Sequence, residues 1–367
     1  MRVFPGDDLP LHFPFPVEWF VDKDVLLISV EAPTIGNVDI VINAVIKYPN
    51  TKSVFIYTVA EVSEYNYLDA IYNILPKVYD VHNIAVCDAG VPLGRGNLIH
   101  IPVSWLMHII DDQAMLPEHR LYKFCCFNAI ARPHRIKLVM EMIRNDLLEH
   151  GKVSCGWARP YYSWSNDVPA ELMHYFPMSL DITTGGSTMA PGEDNYWQTA
   201  VMNIIPEMAG SIVNVISETS MDQYTNAEYV CWSRGMLTEK TMKAYAACQL
   251  PIWFAVRGFV QYQRELGFDV FDDIIDHSYD NVENPQDRIP LIIKELKKLT
   301  DQPLSTLQDL LKVNWRRLQY NKNQLTAAAA NIKESSNLKV INWLDTTVSD
   351  MPKETPHPRL KGLKIKV

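Results

Sequence analysis

The chain is predicted to be an α/β protein of two Rossmann-like units that face each other across a cleft, with helices near its end returning to the first unit. Three observations carry this. Short apolar runs rich in β-branched residues alternate with helical stretches on both sides of Pro117, the pattern of largely parallel sheets covered by helices. A length of 367 residues suffices for two domains of about 100 to 200 residues each. Residues 210–276 read without a long gap as strand, polar corner, capped helix, strand and helix. On this reading residues 1–118 form the N-terminal unit, 119–310 the C-terminal unit, and 311–367 a crossing helix and tail.

Taken in order, Pro5, Pro10, Pro14 and Pro16 make an extended or irregular lead-in. Asp22-Lys23-Asp24 has the letters of the metal-binding Asp-x-Asp of GT-A glycosyltransferases. It precedes the first strand, 25–30, instead of following one, so it is read as a solvated turn. A helix at 38–46, a strand at 53–58, a helix at 67–75 and a strand at 83–87 come next. Gly90, Gly94 and Gly96 lack the G-x-G-x-x-G spacing and no helix signal follows, which makes them an exposed turn and not a phosphate loop. Residues 98–105 read as a strand and 117–120 as the crossing to the second unit.

Residues 124–127 form a buried strand, and Pro133 fits the first turn of a helix running to about residue 150. Arg132 and Arg135 flank that helix start, at the carboxyl end of a strand, where a diphosphate is attracted. A strand and a loop rich in Pro and aromatic residues occupy 151–162, with rings suited to inter-unit packing or to stacking on a sugar face. Residues 183–195 are the most flexible by composition, and 196–208 read as a helix.

The stretch SIVNVISETS then supplies a strand buried on both faces, Ile212 to Ile216, ending in the polar corner Ser217, Glu218, Thr219 and Ser220. Thr238 is the N-cap of a helix opening with Glu239 and Lys240; Pro251 stops that helix, residues 252–256 form a strand, and Gly258 turns into a helix at 259–266. A helix start offers unpaired N–H groups and partial positive charge, so a phosphate is expected over Thr238 to Lys240, with the acid of Glu218 or Glu239 holding ribose or sugar hydroxyls. Helices at 285–299 and 303–330 follow, and the Pro-rich, then basic, end of the chain reads as a lightly attached tail.

The arrangement SETS…LTEKTMKAYAACQLPIWFAVRGF resembles the donor-binding half of GT-B glycosyltransferases, most closely the α1,3-fucosyltransferase type. Glu218, Thr219 and Ser220 take the place of its Glu-Asn-Ser-like corner, with Thr219 where the family has Asn, and Thr238, Glu239 and Lys240 take its helix start. RPHR and RELGFDVFDDIIDHSYDNVENPQDRI are similar to stretches of viral glycosyltransferase-like proteins; the resemblance spans roughly 120–320. It implies a GT-B fold and transfer of a sugar from a nucleotide-sugar co-substrate to a hydroxyl of a glycan, protein or modified nucleobase, inverting and without a metal or other cofactor. Its catalytic base is an acid at the end of an N-terminal strand: Glu61 fits, with Glu64 and Asp88 behind it. Two further readings stand beside this one, a non-catalytic nucleotide-sugar-binding or virion structural protein of the same fold, and a phage-type transferase that modifies DNA.

The composition, 47% hydrophobic and 21% charged, is that of an ordinary globular protein. A formal net charge of −9 disfavours a broad nucleic-acid surface, where phosphate contacts dominate. No run of about 18 apolar residues predicts a membrane span, and MRVFPGDDLPLHFPFP lacks the build of a secretory signal. A cytoplasmic setting is therefore expected, that of the host if the protein is viral. The six cysteines show no paired spacing and read as buried thiols of a reducing compartment.

Overall fold

In the computed structural model, the described residues are 2–4, 15, 18–21, 23, 25–30, 38–58, 71, 74–79, 81, 83–88, 90–92, 99–102, 116–128, 131–156, 168–178, 206–218, 233–236 and 238–349. They build an α/β architecture around two separate parallel sheets.

The first part of the chain contributes β1 (Arg2–Phe4), α1 (Glu18–Val21), β2 (Val25–Val30), α2 (Val38–Lys47), β3 (Ser53–Thr58), β4 (Asn83–Asp88), β5 (Gly90–Pro92) and β6 (Ile99–Pro102). Strands β1, β2, β3, β4 and β6 lie side by side in that order, all parallel. Neighbouring residues of a strand point to opposite faces. Leu26, Ile28, Val54, Ile56, Ile84 and Val86 accordingly pack on one face against Val41 and Val45 of α2 and against Ile71 and Leu75. Right-handed crossovers that step in the same direction put α2 and the stretch with Ile71 and Leu75 on that face. The opposite face, with Leu27, Phe55, Tyr57, Ala85 and Cys87, is covered from elsewhere. Phe15 and Phe20 come from the lead-in, and Val340, Trp343 and Leu344 come from the last helix.

The second sheet is made from β7 (Tyr122–Asn128), β8 (Gly151–Cys155), β9 (Ser211–Ser217) and a strand at Leu250–Phe254, parallel throughout. Between them run α3 (Pro133–Arg144), α4 (Pro206–Ala209), β10 (Ser233–Met236) and α5 (Glu239–Ala246). The Leu250–Phe254 strand is β11; after it come α6 (Phe259–Glu265), α7 (Pro285–Thr300), α8 (Leu304–Val313) and α9 (Trp315–Ser349). The order across the sheet is β11-β9-β7-β8. The chain first steps from β7 to β8 and then restarts on the other side of β7, so crossover helices cover both faces. Phe254 meets His134 of α3, whereas Trp253, pointing the other way, meets Tyr245 of α5 and Phe259 of α6.

Several elements differ from the sequence expectation, each for a physical reason. The irregular lead-in contains β1, which adds an edge strand to β2. The helix from Pro133 stops at Arg144, because Asn145 caps it and Asp146 takes a left-handed φ of 56°. Pro251 lies inside β11, which is tolerated because β11 is an edge strand and a missing N–H breaks no second ladder. The expected helix 303–330 is two helices, broken at Asn314, whose side chain turns back to the Leu310 carbonyl at 2.9 Å. The second of them continues to Ser349. Gly90, expected in an exposed turn, opens β5, which pairs antiparallel with β10 and so joins the two parts of the chain. Lys23, expected in a solvated turn, lies 3.8 Å from Asp345 of α9. Gly94, Gly96 and residues 183–195 lie outside the described residues.

Five of the cysteines are described, all buried and outside any disulfide; burial pushes the thiols of Cys125, Cys126 and Cys155 up to about 12. No helix among the described residues is long and apolar enough to cross a membrane.

Candidate functional site

In an open parallel sheet the crevice for a ligand forms at the carboxyl ends of the strands, where the strand order reverses. Here that point lies between β7 and β9. Extending the β7–β9 register sets Asn128 beside Ser217, with Glu218 as the first residue beyond β9.

Glu218 is 2% exposed and touches the starts of two helices at once. Its backbone carbonyl accepts from His134 Nε2 at 3.0 Å and from Arg135 Nη2 at 3.3 Å, both in the first turn of α3. Its carboxylate accepts from the Thr238 hydroxyl at 2.5 Å on one oxygen and from the Thr241 hydroxyl at 2.6 Å on the other, at the start of α5. Its own N–H donates to the Phe254 carbonyl at 3.0 Å, which extends the β9–β11 ladder by one residue. One residue thus sets the distance between two helix N-termini, each an electropositive end of a peptide dipole array.

Thr238 is the expected N-cap. It has extended backbone (φ −98°, ψ 173°), and its oxygen accepts from the Lys240 N–H at 3.3 Å while its hydrogen goes to Glu218. The Lys240 ammonium donates to the same oxygen at 3.4 Å. Thr241 is steadied from below by Trp253, whose indole N–H donates to its hydroxyl at 3.2 Å. Trp253 is held in turn by the Tyr279 hydroxyl, which accepts the Trp253 backbone N–H at 3.2 Å and donates to His277 Nδ1 at 2.8 Å. Burial in this layer raises the Tyr279 phenol well above its ordinary range and lowers His277.

His134 is 2% exposed. Burial is the main cause that holds it well below the usual imidazole range; Arg135, Arg132 and Lys240 add to the depression, opposed by the bond to the Glu218 carbonyl. The imidazole is therefore neutral near pH 7 and donates through Nε2. Arg135, Arg132 and Lys240 thus lie near enough to act on His134, beside two helix starts and the Glu218 carboxylate.

Of the expected donor-site residues, the structure brings together Arg135, Glu218, Thr238 and Lys240, with Arg132 as the N-cap of α3. Glu239 opens α5, but its side chain, like all of Thr219 and Ser220, lies outside what is described. Of the expected bases, Glu61 and Glu64 lie outside the described residues, and Asp88 is described by its backbone only, as the last residue of β4. His134 and Thr241 were missed. Thr241 carries a readable signal, a second hydroxyl three positions after an N-cap Thr; His134 carries none, since a histidine between a proline and an arginine reads as surface.

Two other features are structural in character. Arg288, from the NPQDR stretch, is 1% exposed and donates to the carbonyls of Ala255, Val282 and Glu283, stapling the carboxyl end of β11. A hollow of about 410 Å³ beside α6 is walled by charges already engaged: Arg264 pairs with Asp272, and Asp280 accepts from the N–H groups of Val260 and Gln261. Among the described residues no group of three His, Cys, Asp or Glu side chains is placed to hold a metal ion. No protein-family model, curated protein or solved structure matches the chain.

Proposed function

We propose that the chain is a glycosyltransferase of GT-B architecture that binds a nucleotide-sugar donor at the carboxyl edge of the second sheet and transfers its sugar to an acceptor hydroxyl. One observation carries the reading. Two helix N-termini and three cations, Arg132, Arg135 and Lys240, lie together at the topological switch point with the buried carboxylate of Glu218. Such a place suits a dianionic group with several oxygens, which a diphosphate is. As the glycosidic bond breaks, negative charge grows on the leaving diphosphate, and fixed positive groups stabilise that change more than they stabilise the bound donor. Glu218 in this scheme is a positioning residue: its carboxylate clamps Thr238 and Thr241 and so aims the first turn of α5. The acceptor binds on the first unit, across the cleft.

The test is a thermal-shift screen of the full chain against inorganic pyrophosphate, nucleoside diphosphates and nucleotide sugars, followed by an assay for nucleoside diphosphate release. A ligand at 100 times its dissociation constant stabilises by about 2.7 kcal/mol, a readily measured shift. The expected result is stabilisation by diphosphates and release from one nucleotide sugar. Stabilisation without release would make the chain a nucleotide-sugar-binding protein; no stabilisation by any diphosphate would remove the reading.

A further inference from the structure

We infer that Asn128 and Ser217 form a hydroxyl-binding notch, which takes one alcohol group of a ring attached to the bound diphosphate. The notch rests on the proposed donor site and adds to it what is recognised beside the phosphates.

Its place follows from how two strands end. The β7–β9 pairs stop at Cys125 and Asn214, yet each strand runs three residues further, with Asn128 still paired to Cys155 of β8 and Ser217 to Phe254 of β11. The two strand ends therefore flank a stretch where β7 and β9 are no longer laddered to each other, at the carboxyl edge where the strand order reverses. Both side chains lie on one face. Phe124 and Val213 are paired, Asn128 and Ser217 each come four residues later, and side chains alternate along a strand. That face lies under the first turn of α3, since Phe254, level with Ser217, meets the His134 ring, and Arg135 Nη2 reaches the Ser217 carbonyl at 3.4 Å.

Asn128 is 0% and Ser217 1% exposed, and neither Asn128 Oδ1 nor Ser217 Oγ has a hydrogen-bond partner among the described residues. The amide of Asn128 is held in one orientation: its Nδ2 donates to the Ser154 carbonyl of β8 at 3.3 Å and to Cys126 Sγ at 3.4 Å, which directs Oδ1 away from β8, to the β9 side. Buried polar groups are ordinarily satisfied, so two left unsatisfied at a ligand crevice ask for a group from outside. An amide oxygen only accepts, whereas a serine hydroxyl donates and accepts. An alcohol hydroxyl serves both at once, donating to Asn128 Oδ1 while accepting from Ser217. An ionised phosphate oxygen, an acceptor only, could serve Ser217 but not Asn128. Glu218, the acid expected to hold such hydroxyls, has each carboxylate oxygen engaged by a threonine. In a nucleotide sugar two rings carry hydroxyls beside the diphosphate, the ribose and the transferred sugar.

The experiment is calorimetry of the full chain, wild type, Ser217→Ala and Asn128→Ala, with inorganic pyrophosphate, the common nucleoside diphosphates, their 2′- and 3′-deoxy forms and the matching nucleotide sugars. One ribonucleoside diphosphate is expected to bind wild type about tenfold more tightly than one of its deoxy forms, and each variant to bind the two alike, with pyrophosphate affinity within about twofold of wild type. Where the hydroxyl is that of the transferred sugar, the deoxy forms bind wild type as well as the ribose form does, and the variants lose about tenfold for the nucleotide sugar alone; this outcome also supports the notch. A ratio between ligands is read because a general loss of stability leaves it unmoved. Ser217→Ala, which deletes an unsatisfied hydroxyl, is further expected to unfold at no lower temperature than wild type when no ligand is added. Variants that keep the wild-type affinity for every ligand, or that weaken pyrophosphate, deoxy and complete ligands equally, overturn the notch and leave the diphosphate reading standing. A wild type that binds no diphosphate overturns that reading and the notch with it.

Discussion

The two parallel sheets of this protein are wound differently, and the difference decides where a ligand is expected. The first runs β1-β2-β3-β4-β6, each strand laid beside the one before, so its crossover helices gather on a single face. The second runs β11-β9-β7-β8, with a reversal beside β7 that sends helices to both faces and opens a crevice at the reversal. Among its described strands the first sheet has no such point, and one face of its core is completed by residues more than two hundred positions away. The second completes its own core and carries the polar cluster. Where winding reverses, backbone ends spread apart and leave room for charge; where it does not, they close into an apolar layer.

Removing the borrowed cover has the largest expected effect. Trp343 is 2% exposed and packs edge-on to Phe55 with ring centroids 5.5 Å apart, so Trp343→Ala should cost about 3–5 kcal/mol, all of it in the first sheet. Scanning calorimetry is expected to show a transition split from that of the second sheet and moved to lower temperature. One unshifted transition would mean that α9 does not complete the first core.

The corresponding blow to the second sheet is Glu218→Ala. It takes the acceptor from the hydroxyl hydrogens of Thr238 and Thr241, residues 1% and 0% exposed, at about 1–3 kcal/mol for each donor left unsatisfied. Urea unfolding followed by Trp fluorescence reads this. A variant as stable as wild type would show that the two helix starts are not tied through this carboxylate.

Acid should separate the sheets more gently. His134 is held below its unfolded value near 6.5, so the unfolded chain binds a proton that the folded chain refuses. Stability from this group is complete above pH 6.5 and is lost as pH falls towards the folded value, by roughly 1.4 kcal/mol per pH unit in between. His277 is depressed in the same direction, and both belong to the second unit. Urea midpoints at pH 7.5 and pH 5.5 should differ more for wild type than for His134→Asn, and an equal difference would place the acid sensitivity elsewhere.

The smallest effect on stability, with the most specific effect on binding, is expected at Lys240. Its ammonium donates to the Thr238 oxygen at 3.4 Å, the long end of the hydrogen-bond range, and the fold should lose less than about 0.5 kcal/mol in Lys240→Ala. A charge-assisted bond to a diphosphate is worth roughly 1.5 to 3 kcal/mol, so donor affinity should fall on the order of tenfold to a hundredfold. Calorimetry with equal dissociation constants for the two proteins would mean that α5 does not hold the diphosphate.

Much of this was legible in the residues. The strands announce themselves because Val25–Val30, Ser211–Ser217 and their neighbours are short β-branched runs bounded by turn formers. Thr238 was readable as a cap because a hydroxyl preceding Glu-Lys at a helix start has one common use. What was illegible depends on pairing at a distance. Gly90–Pro92 and Ser233–Met236 lack apolar alternation, so nothing local marks them as partners. His134 is buried only because β9 lies beside β7, a matter of strand order that no window of sequence contains. The helix expected to end near residue 330 runs on through Ser335, Ser336 and Asn337, because Val340, Trp343 and Leu344 gain a sheet to pack on. Tertiary burial there overrides weak local propensity.

The long reach of α9 also sets a timetable. A chain emerging from the ribosome at roughly 5 to 20 residues per second finishes the last strand of the first sheet about 240 residues before it delivers Trp343, an interval of roughly 10 to 50 s. Throughout that interval one side of a five-stranded sheet, with Leu27, Phe55 and Ala85 on it, lacks the cover that Val340, Trp343 and Leu344 bring, and among the described residues Phe15 and Phe20 are already beside it. Nascent chains halted short of Trp343 should therefore be the form of this protein that chaperones hold and proteases find, and the second sheet, complete by then, should already resist both.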